Sequence, residues 1–208
     1  MAPPKPGRLH DPFRFDRGLL REAGAGSRYL AGVDEVGRGC LAGPLVCAAV
    51  ILDYRTSPDR TLAGLRDSKL LTPSRREDLY ERILRSCVRW AVVHVSASSL
   101  DGRGLHRSNL AALGDALLEL GYAYDLAVVD GFDLGRPELH CRALVEGDRL
   151  SAAVAAASVV AKVTRDRLMR AVHEFYPVYG FDRHVGYATE QHRAALAAAG
   201  ACPLHRRS

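Results

Sequence analysis

Ala31-Gly32-Val33-Asp34-Glu35-Val36-Gly37-Arg38-Gly39 joins an apolar run, two adjacent carboxylates and a glycine-flanked arginine. The apolar run is typical of a buried strand, and Asp34 and Glu35 stand at its end. Adjacent buried charges cost free energy unless a cation or a strong hydrogen-bonding partner compensates them. Carboxylate oxygens are the ligands that Mg²⁺ and Mn²⁺ prefer, so a divalent metal is the natural compensation. The glycines beside Arg38 let the backbone approach a ligand closely, and a guanidinium suits a phosphate. The stretch therefore indicates phosphoryl-transfer chemistry.

The rest of the chain has the composition of a globular protein. Its 208 residues are 48% hydrophobic and 25% charged, which favours one domain with a sizeable core. A formal net charge of +5 is compatible with an acidic partner such as nucleic acid, although charge alone speaks mainly to solubility. We expect residues 1–28 to be a flexible N-terminal segment and residues 29–208 to form the functional domain, with a small helical subdomain from about residue 176.

The sequence disfavours a disulfide-stabilised protein, a zinc protein and a membrane-spanning protein. The five cysteines form no C-x-x-C pair, so neither a disulfide framework nor a zinc site is indicated. No apolar run approaches the roughly 18 residues that span a bilayer. We therefore expect a cytoplasmic protein that does not bind a membrane.

Apolar runs and helical signals alternate along the chain. We expect strands at Tyr29–Val33, Pro44–Leu52, Val88–Val95, Leu126–Val129 and Cys141–Val145. We expect helices at about Thr72–Arg85, His106–Leu120, Ser151–Glu174 and Thr189–Ala199. This order predicts an α/β fold, with a mixed sheet because the early strands can pair as hairpins.

Acidic residues follow three of the predicted strands: Asp34 with Glu35, then Asp130, then Asp148. Ligands gather beyond the carboxyl ends of strands in open α/β sheets, so these side chains can converge on one site. Two divalent cations are the simplest account of such a cluster. Taken alone, Asp130 before a glycine is more often a turn residue and Asp148 could equally be a helix N-cap, so each by itself favours a structural role. Neighbours on a regular strand face opposite sides, so Asp34 and Glu35 reach one site only if the strand ends or bulges there.

A series of further motifs continues this pattern in a fixed order. They are Ala42-Gly43-Pro44, Asp67-Ser68-Lys69, Val129-Asp130-Gly131, Gly147-Asp148, the run from Ser158 through Lys162 to Arg165-Asp166, Tyr179-Gly180-Phe181 and His184-Val185-Gly186-Tyr187. With the opening stretch, this order resembles bacterial ribonuclease HII over nearly all of residues 29–208. The two long runs are specific, whereas the Asp-Gly and Gly-Asp pieces alone are weak.

The resemblance implies a ribonuclease H-like mixed sheet flanked by helices. It implies catalytic, metal-binding roles for Asp34, Glu35, Asp130 and Asp148, with two Mg²⁺ or Mn²⁺ ions. The activity implied is endonucleolytic cleavage of RNA paired with DNA, including incision at a single ribonucleotide in duplex DNA, which leaves a 5′-phosphate and a 3′-hydroxyl. The expected partners are therefore RNA–DNA hybrids and ribonucleotide-containing duplexes, bound by a monomer.

The resemblance also implies substrate contacts. The backbone of Gly37-Arg38-Gly39 would sense the ribose 2′-hydroxyl, which both donates and accepts hydrogen bonds. Tyr187 would pack under the sugar at the RNA–DNA junction. Lys69, Ser158 and Lys162 would hold backbone phosphates, with Ser158 and Lys162 sharing one helix face. Arg165 and Asp166 are left outside the site as a structural pair.

Two departures from the family pattern leave alternatives open. Glu146 stands where relatives usually carry a basic residue, and Val185 stands where a lysine is usual. Both reduce positive charge near a polyanionic substrate, so we expect weaker phosphate binding or an altered metal affinity, with the carboxylates left intact. One alternative is a paralogue that recognises hybrids but cleaves poorly. Another is a resolvase- or integrase-like nuclease of the same fold, against which Gly37-Arg38-Gly39 and Tyr187 argue.

Overall fold

The computed structural model describes residues 11–65 and 71–207. The strands are β1 (Tyr29–Val36), β2 (Leu45–Asp53), β3 (Arg89–Val95), β4 (Leu126–Asp130) and β5 (Cys141–Leu144). The helices are α1 (Pro12–Ala23), α2 (Pro58–Thr61), α3 (Pro73–Ser86), α4 (Ala97–Arg103), α5 (Leu105–Glu119), α6 (Gly147–Leu150), α7 (Ala152–His173), α8 (Phe181–His184) and α9 (Glu190–Ala199). None of the helices in these two ranges has the length and apolarity that a membrane span requires.

The five strands form one mixed sheet in the order β3-β2-β1-β4-β5. β1 pairs antiparallel with β2 and parallel with β4, and the parallel pairing ends at Val33 opposite Val129. The central position of β1 explains its apolar sequence, because a strand covered on both faces loses the hydrophobic alternation of an edge strand. The predicted α/β fold with a mixed sheet is confirmed.

Helix α7 covers one face of the sheet at unusually short range. A Cβ atom added to Gly32 would lie 2.0 Å from the main-chain carbonyl carbon of Ala153. The backbones of β1 and α7 therefore approach each other at a position where β1 has no side chain and α7 has only a methyl group. The buried face of α7 is rich in alanine, which permits this approach along the first three turns. The interface places Ser158 of α7 beside the end of β1.

Helix α5 covers the opposite face, and a third apolar cluster lies in the C-terminal part. Leu113 and Leu117 of α5 pack with alternate residues of the sheet, such as Val33 and Val129. Met169, Tyr179 and Phe181 pack with Ala42 and Val185 to form the third cluster. This cluster joins the loop after β1 to the short helices that follow α7.

The prediction of a flexible segment over residues 1–28 is wrong for Pro12–Ala23, which forms helix α1. Asp11 caps this helix by accepting hydrogen bonds from the N–H groups of Phe13 and Arg14, and Pro12 occupies the first turn. Phe13 is buried against α7 and the sheet. The segment's arginines and prolines masked this apolar face in the sequence. Helix α4 was likewise not predicted.

Candidate active site

Asp34 lies on central strand β1, where its carboxylate is shielded from solvent. Its side chain is 5% exposed, and its Oδ1 atom accepts a hydrogen bond from the N–H of Glu35 at 2.7 Å. Burial raises the pKa of Asp34 well above its usual value, a polar contact from Ser158 partly offsets this, and the charges of Asp130 and Glu35 raise it further. A cation at this position would relieve both the burial cost and the repulsion.

Glu35 extends from the same strand toward different neighbours. Burial raises the pKa of Glu35, the Arg38 guanidinium lowers it, and the charge of Asp130 raises it. Nη1 of Arg38 lies 3.5 Å from Oε1 of Glu35, whereas the buried Oε2 atom has no hydrogen-bond partner among the described residues. The Asn109 amide of α5 is close enough to favour the ionised carboxylate.

The expectation that β1 must end or bulge at the acidic pair is corrected. β1 continues in regular pairing with β2 through Val36, with Asp34 opposite Ala48 and Glu35 opposite Cys47. Asp34 therefore contacts α7 and Glu35 contacts α5. The pairing with β4 stops one residue before Asp34, and the charge of Asp130, the last residue of β4, influences both carboxylates.

Asp130 ends β4 and is linked to the segment that carries Asp148. Its Oδ1 atom accepts a hydrogen bond from the N–H of Gly147 at 2.6 Å. A Cβ atom at Gly147 would lie 3.1 Å from the same oxygen, so the glycine permits a close approach. Asp148 is the next residue and lies half-buried in the first turn of α6. The structure thus groups three carboxylates electrostatically and holds the segment of the fourth against one of them.

The chemistry of these side chains fits a hard divalent cation. All four side chains offer carboxylate oxygens as metal ligands. The Oε2 atom of Glu35 is buried without a hydrogen-bond partner among the described residues, and burial disfavours the ionised form of Asp34. Within residues 11–65 and 71–207, no three His, Cys, Asp or Glu side chains have an arrangement that could hold a metal ion. The convergence of all four carboxylates on metal therefore stays a prediction.

The glycine-flanked loop presents its backbone rather than the Arg38 side chain. The Arg38 guanidinium faces Glu35 and lies 4.6 Å from the ring centroid of Phe132, so contacts within the protein hold it while the side chain stays 34% exposed. Gly39 is exposed, and a Cβ atom added there would meet nothing within 4 Å. The open backbone at Gly39 is consistent with direct contact to a ligand.

Tyr187 lies on the other side of this loop, where Cys40 forms a β-bridge with it. Its side chain is 36% exposed, and Nζ of Lys162 lies 4.9 Å from its ring centroid. The same Nζ atom lies 2.9 Å from Oδ1 of Asp166, a pairing that the sequence did not predict. Ser158 stands one turn before Lys162 on α7, beside Asp34. Lys69 lies outside the described residues.

Two arginines that the sequence left out of the site organise this region. Arg165 is fully buried and donates hydrogen bonds to the carbonyl oxygens of Pro44, Val185 and Ala42 at 2.8 to 3.0 Å. Arg206 donates to the carbonyl oxygens of Arg38 and Gly43. Such partners are main-chain atoms, so no pattern of residue types could have revealed them.

Comparison with known proteins connects this geometry to a family. The family model described as Ribonuclease HII matches residues 31–208. A ribonuclease HII of Thiobacillus denitrificans is 48% identical over 179 residues, covering 86% of each chain. One of Acidothermus cellulolyticus is 46% identical and covers 97% of this chain, which spans 64% of that longer protein.

Solved structures give the same result. The PCNA:RNase HII complex from Archaeoglobus fulgidus matches with a TM-score of 0.74 and 32% identity, covering 86% of this chain and 93% of that one. The ribonuclease H2 from Pyrococcus horikoshii matches with a TM-score of 0.75 and 28% identity, covering 86% and 92%. Bst-RNase HIII in complex with Mn²⁺, at 19% identity, covers 92% and 75% with a TM-score of 0.66 and supports the fold alone. The chain therefore belongs to the ribonuclease HII family, nucleases that hydrolyse RNA paired with DNA.

Proposed function

We propose that this enzyme cleaves the RNA strand of RNA–DNA hybrids and incises duplex DNA on the 5′ side of a single embedded ribonucleotide, leaving a 5′-phosphate and a 3′-hydroxyl. The observation that carries this proposal is the buried carboxylate group beside an open glycine backbone. Asp34 and Glu35 on β1 are both influenced by the charge of Asp130, and the exposed Gly39 lies in the loop that follows β1. We expect the enzyme to act as a monomer in the cytoplasm.

In this proposal Asp34, Glu35, Asp130 and Asp148 hold two divalent ions, Mg²⁺ or Mn²⁺. Ions held there would supply an activated water molecule and charge stabilisation for the leaving oxygen of an in-line displacement. The contribution of the protein is to hold the carboxylates of Asp34 and Asp130 in fixed positions. Asp34 is fixed by the N–H of Glu35, and Asp130 is fixed by the N–H of Gly147. Fixed ligands reduce the reorganisation that the transition state requires.

Substrate selection falls to the backbone of Gly37-Arg38-Gly39 and to Tyr187. A backbone that can offer both an N–H and a carbonyl suits a 2′-hydroxyl, which donates and accepts hydrogen bonds. The half-exposed ring of Tyr187 offers a flat apolar surface for the adjoining sugar. Lys162, Ser158 and Lys69 would hold phosphates, a contact that positions a duplex without reading its sequence.

An incision assay tests this function. A duplex with one ribonucleotide is incubated with Mg²⁺ or Mn²⁺ and native protein, Asp34→Asn, or the control Asp133→Asn, which changes an exposed carboxylate in the loop after β4. We expect Asp34→Asn to lower kcat by about a thousandfold or more while duplex binding persists, because the ligand charge is lost but the Oδ1 acceptor remains. Full activity in purified Asp34→Asn would refute the assignment.

The same assay separates the two alternatives. Binding by native protein without incision under either metal would favour the non-catalytic paralogue that Glu146 and Val185 leave open. Cleavage of an all-DNA junction, with no dependence on the ribonucleotide, would favour the resolvase-like nuclease. Incision at the ribonucleotide alone supports the proposed function.

A further inference from the structure

Three buried histidines surround Phe181 in the C-terminal part of the chain. His184, His192 and His205 are 7%, 0% and 5% exposed. The rings of His184 and His192 stack with centroids 4.4 Å apart, and both meet the Phe181 ring edge-on. Histidines buried this completely need defined hydrogen-bond partners, because an unpaired ring nitrogen costs free energy in an apolar setting.

The partners of His192 and His205 define a single direction of hydrogen bonding. Nδ1 of His192 lies 2.9 Å from the carbonyl oxygen of Tyr187, and a carbonyl only accepts, so Nδ1 carries the proton. Nε2 of neutral His192 is then an acceptor, and it lies 3.1 Å from Nε2 of His205, which must donate. Nδ1 of His205 in turn accepts from the N–H of Cys202 at 3.1 Å, with the Cys202 thiol at 3.2 Å.

This chain of donors ends on the main chain of Tyr187. The Tyr187 carbonyl also accepts from the N–H of Thr189 at 2.8 Å, and the Tyr187 N–H donates to the carbonyl of His184 at 2.9 Å. Thr189 caps helix α9 by accepting from the N–H of His192 at 3.2 Å. His192 is thus attached to the Tyr187 segment through both its side chain and its main chain. Without the His192 imidazole, the Tyr187 carbonyl would keep only one of these two hydrogen-bond donors, the N–H of Thr189.

We infer that His192, held in one tautomer by His205 and Cys202, is a positioning residue that fixes Tyr187 for recognition of a single ribonucleotide. The inference rests on the proposed role of Tyr187 at the sugar. His192 touches neither the carboxylates nor the open backbone of Gly39. Its removal should therefore affect substrates that depend on Tyr187 more than substrates that do not.

The hydrogen-bond network of His192 and His205 depends on pH. Burial lowers the pKa of both His192 and His205, so both are neutral at neutral pH. The titratable groups that face this pair are His184, Cys202 and Tyr179, whose ring lies 4.8 Å from His205. A second proton on His192 or His205 would place a donor where the network needs an acceptor. Tyr187 positioning should therefore weaken as the pH falls below the ordinary histidine range near 6.5.

The test compares kcat/KM on a single-ribonucleotide duplex with kcat/KM on a continuous RNA–DNA hybrid of equal length. The ratio of the two cancels effects on the shared carboxylates. We expect Tyr187→Ala and His192→Phe to lower the ratio, the latter about fivefold to tenfold, which corresponds to one lost hydrogen bond. His192→Asn should recover most of it, because the asparagine amide can donate from nearly the position of Nδ1. His94→Phe, on edge strand β3, is the control.

The outcomes separate the inference from the proposed function. An unchanged ratio in Tyr187→Ala would refute the role of Tyr187 and the inference with it. A lowered ratio in Tyr187→Ala with an unchanged ratio in His192→Phe would refute the inference alone. Should His192→Phe fail to fold, the pH profiles decide: the ratio should fall as the pH is lowered below 6.5 in native protein and fall less in His192→Asn, which keeps only His205. A level native profile, or an equal fall in both proteins, would overturn the inference.

Discussion

The Arg206 guanidinium donates a hydrogen bond from Nη1 to the carbonyl oxygen of Arg38 at 3.0 Å. Its Nε and Nη2 atoms both bind the carbonyl oxygen of Gly43, at 3.1 and 2.9 Å, and its own N–H donates to Leu41. One side chain near the end of the described chain therefore holds both ends of the loop that follows β1. The loop proposed to sense ribose is shaped by a residue more than 160 positions away in sequence.

Replacing Arg206 should weaken this loop. We expect Arg206→Met to lower the free energy of unfolding by about 2–3 kcal/mol, because two carbonyl oxygens lose their donors. We also expect KM for a ribonucleotide-containing duplex to rise roughly tenfold, as a loosened loop presents its backbone less accurately. Urea unfolding and steady-state kinetics measure the two effects. Arg207→Met, which changes the exposed neighbouring side chain, is the control, and equal behaviour of both variants would contradict the role of Arg206.

The two loop glycines should respond differently to alanine. Gly37 has φ of +94°, and a Cβ atom there would lie 2.4 Å from Nε of Arg165, so Gly37→Ala should destabilise the fold by about 2–4 kcal/mol. Gly39 has free space around it, so Gly39→Ala should change stability by less than about 0.5 kcal/mol. Its kcat/KM on the ribonucleotide duplex should nevertheless fall about tenfold, because the added methyl group separates backbone from sugar. Thermal melts with incision kinetics test this, and normal incision by Gly39→Ala would refute the backbone contact.

Asp16 should make stability depend on pH. Its carboxylate is fully buried on α1, accepts hydrogen bonds from Tyr54 and from the N–H of Ala153, and has a pKa raised to about 7, chiefly by burial. The folded state thus binds a proton more tightly than the unfolded state, so this group's stabilisation is complete below pH 3.8 and is lost as the pH rises through 7. Between pH 5 and pH 8 the loss should be roughly 2–3 kcal/mol.

Urea unfolding at several pH values measures this dependence, and Asp16→Asn should flatten it. Tyr54→Phe should shift the pH dependence to higher pH. The Tyr54 hydrogen bond stabilises the ionised Asp16 carboxylate, so its removal raises the pKa of Asp16 further. An equal pH dependence in native protein and in Asp16→Asn would show that another group is responsible.

Restoring positive charge at Glu146 should strengthen duplex binding. Glu146 is exposed and pairs with Arg149 at 2.8 Å, close to the half-buried Asp148. Glu146→Lys should lower the dissociation constant for duplex and steepen the dependence of log K on log salt concentration by about one, corresponding to one added phosphate contact. Glu138→Lys, which alters a similar Arg136-paired acid at the other end of β5, is the control. Identical salt slopes for the two variants would contradict a role for position 146.

The second departure from the family pattern acts differently from the expectation. Val185 is buried at 8% exposure in the cluster around Phe181, and its carbonyl oxygen accepts a hydrogen bond from Arg165. Its φ of +44° lies in the left-handed region, which is strained for a β-branched residue. Position 185 therefore has a structural role through its main-chain carbonyl. This role does not depend on the charge of the side chain.

The local pattern of apolar residues was sufficient to predict the strands and the longest helices, and to place acidic residues at the strand ends. The expected strand at Leu126–Val129 and the long helix at Ser151–Glu174 are confirmed within one residue, because continuous apolar runs and alanine-rich helical stretches bury the same faces in most contexts. Helix α1 was missed because its apolar face is carried by a few residues among arginines and prolines. Its burial depends on α7, more than a hundred residues later.

The sequence by itself determined the five strands, the four longer helices that were predicted, the mixed sheet and the positions of acids at the strand ends, since these follow from hydrophobic periodicity and from residues whose chemistry is local. Only the tertiary structure decided that Asp34 faces α7, that Glu35 faces α5 and that the charge of Asp130 acts on both, because this depends on how β4 pairs beside β1. The tertiary structure also placed Arg165 and Arg206 on carbonyl oxygens of the loop after β1, and His192 on the carbonyl of Tyr187. Every residue has a main-chain carbonyl, so such contacts have no sequence signature and are fixed only when distant segments pack together.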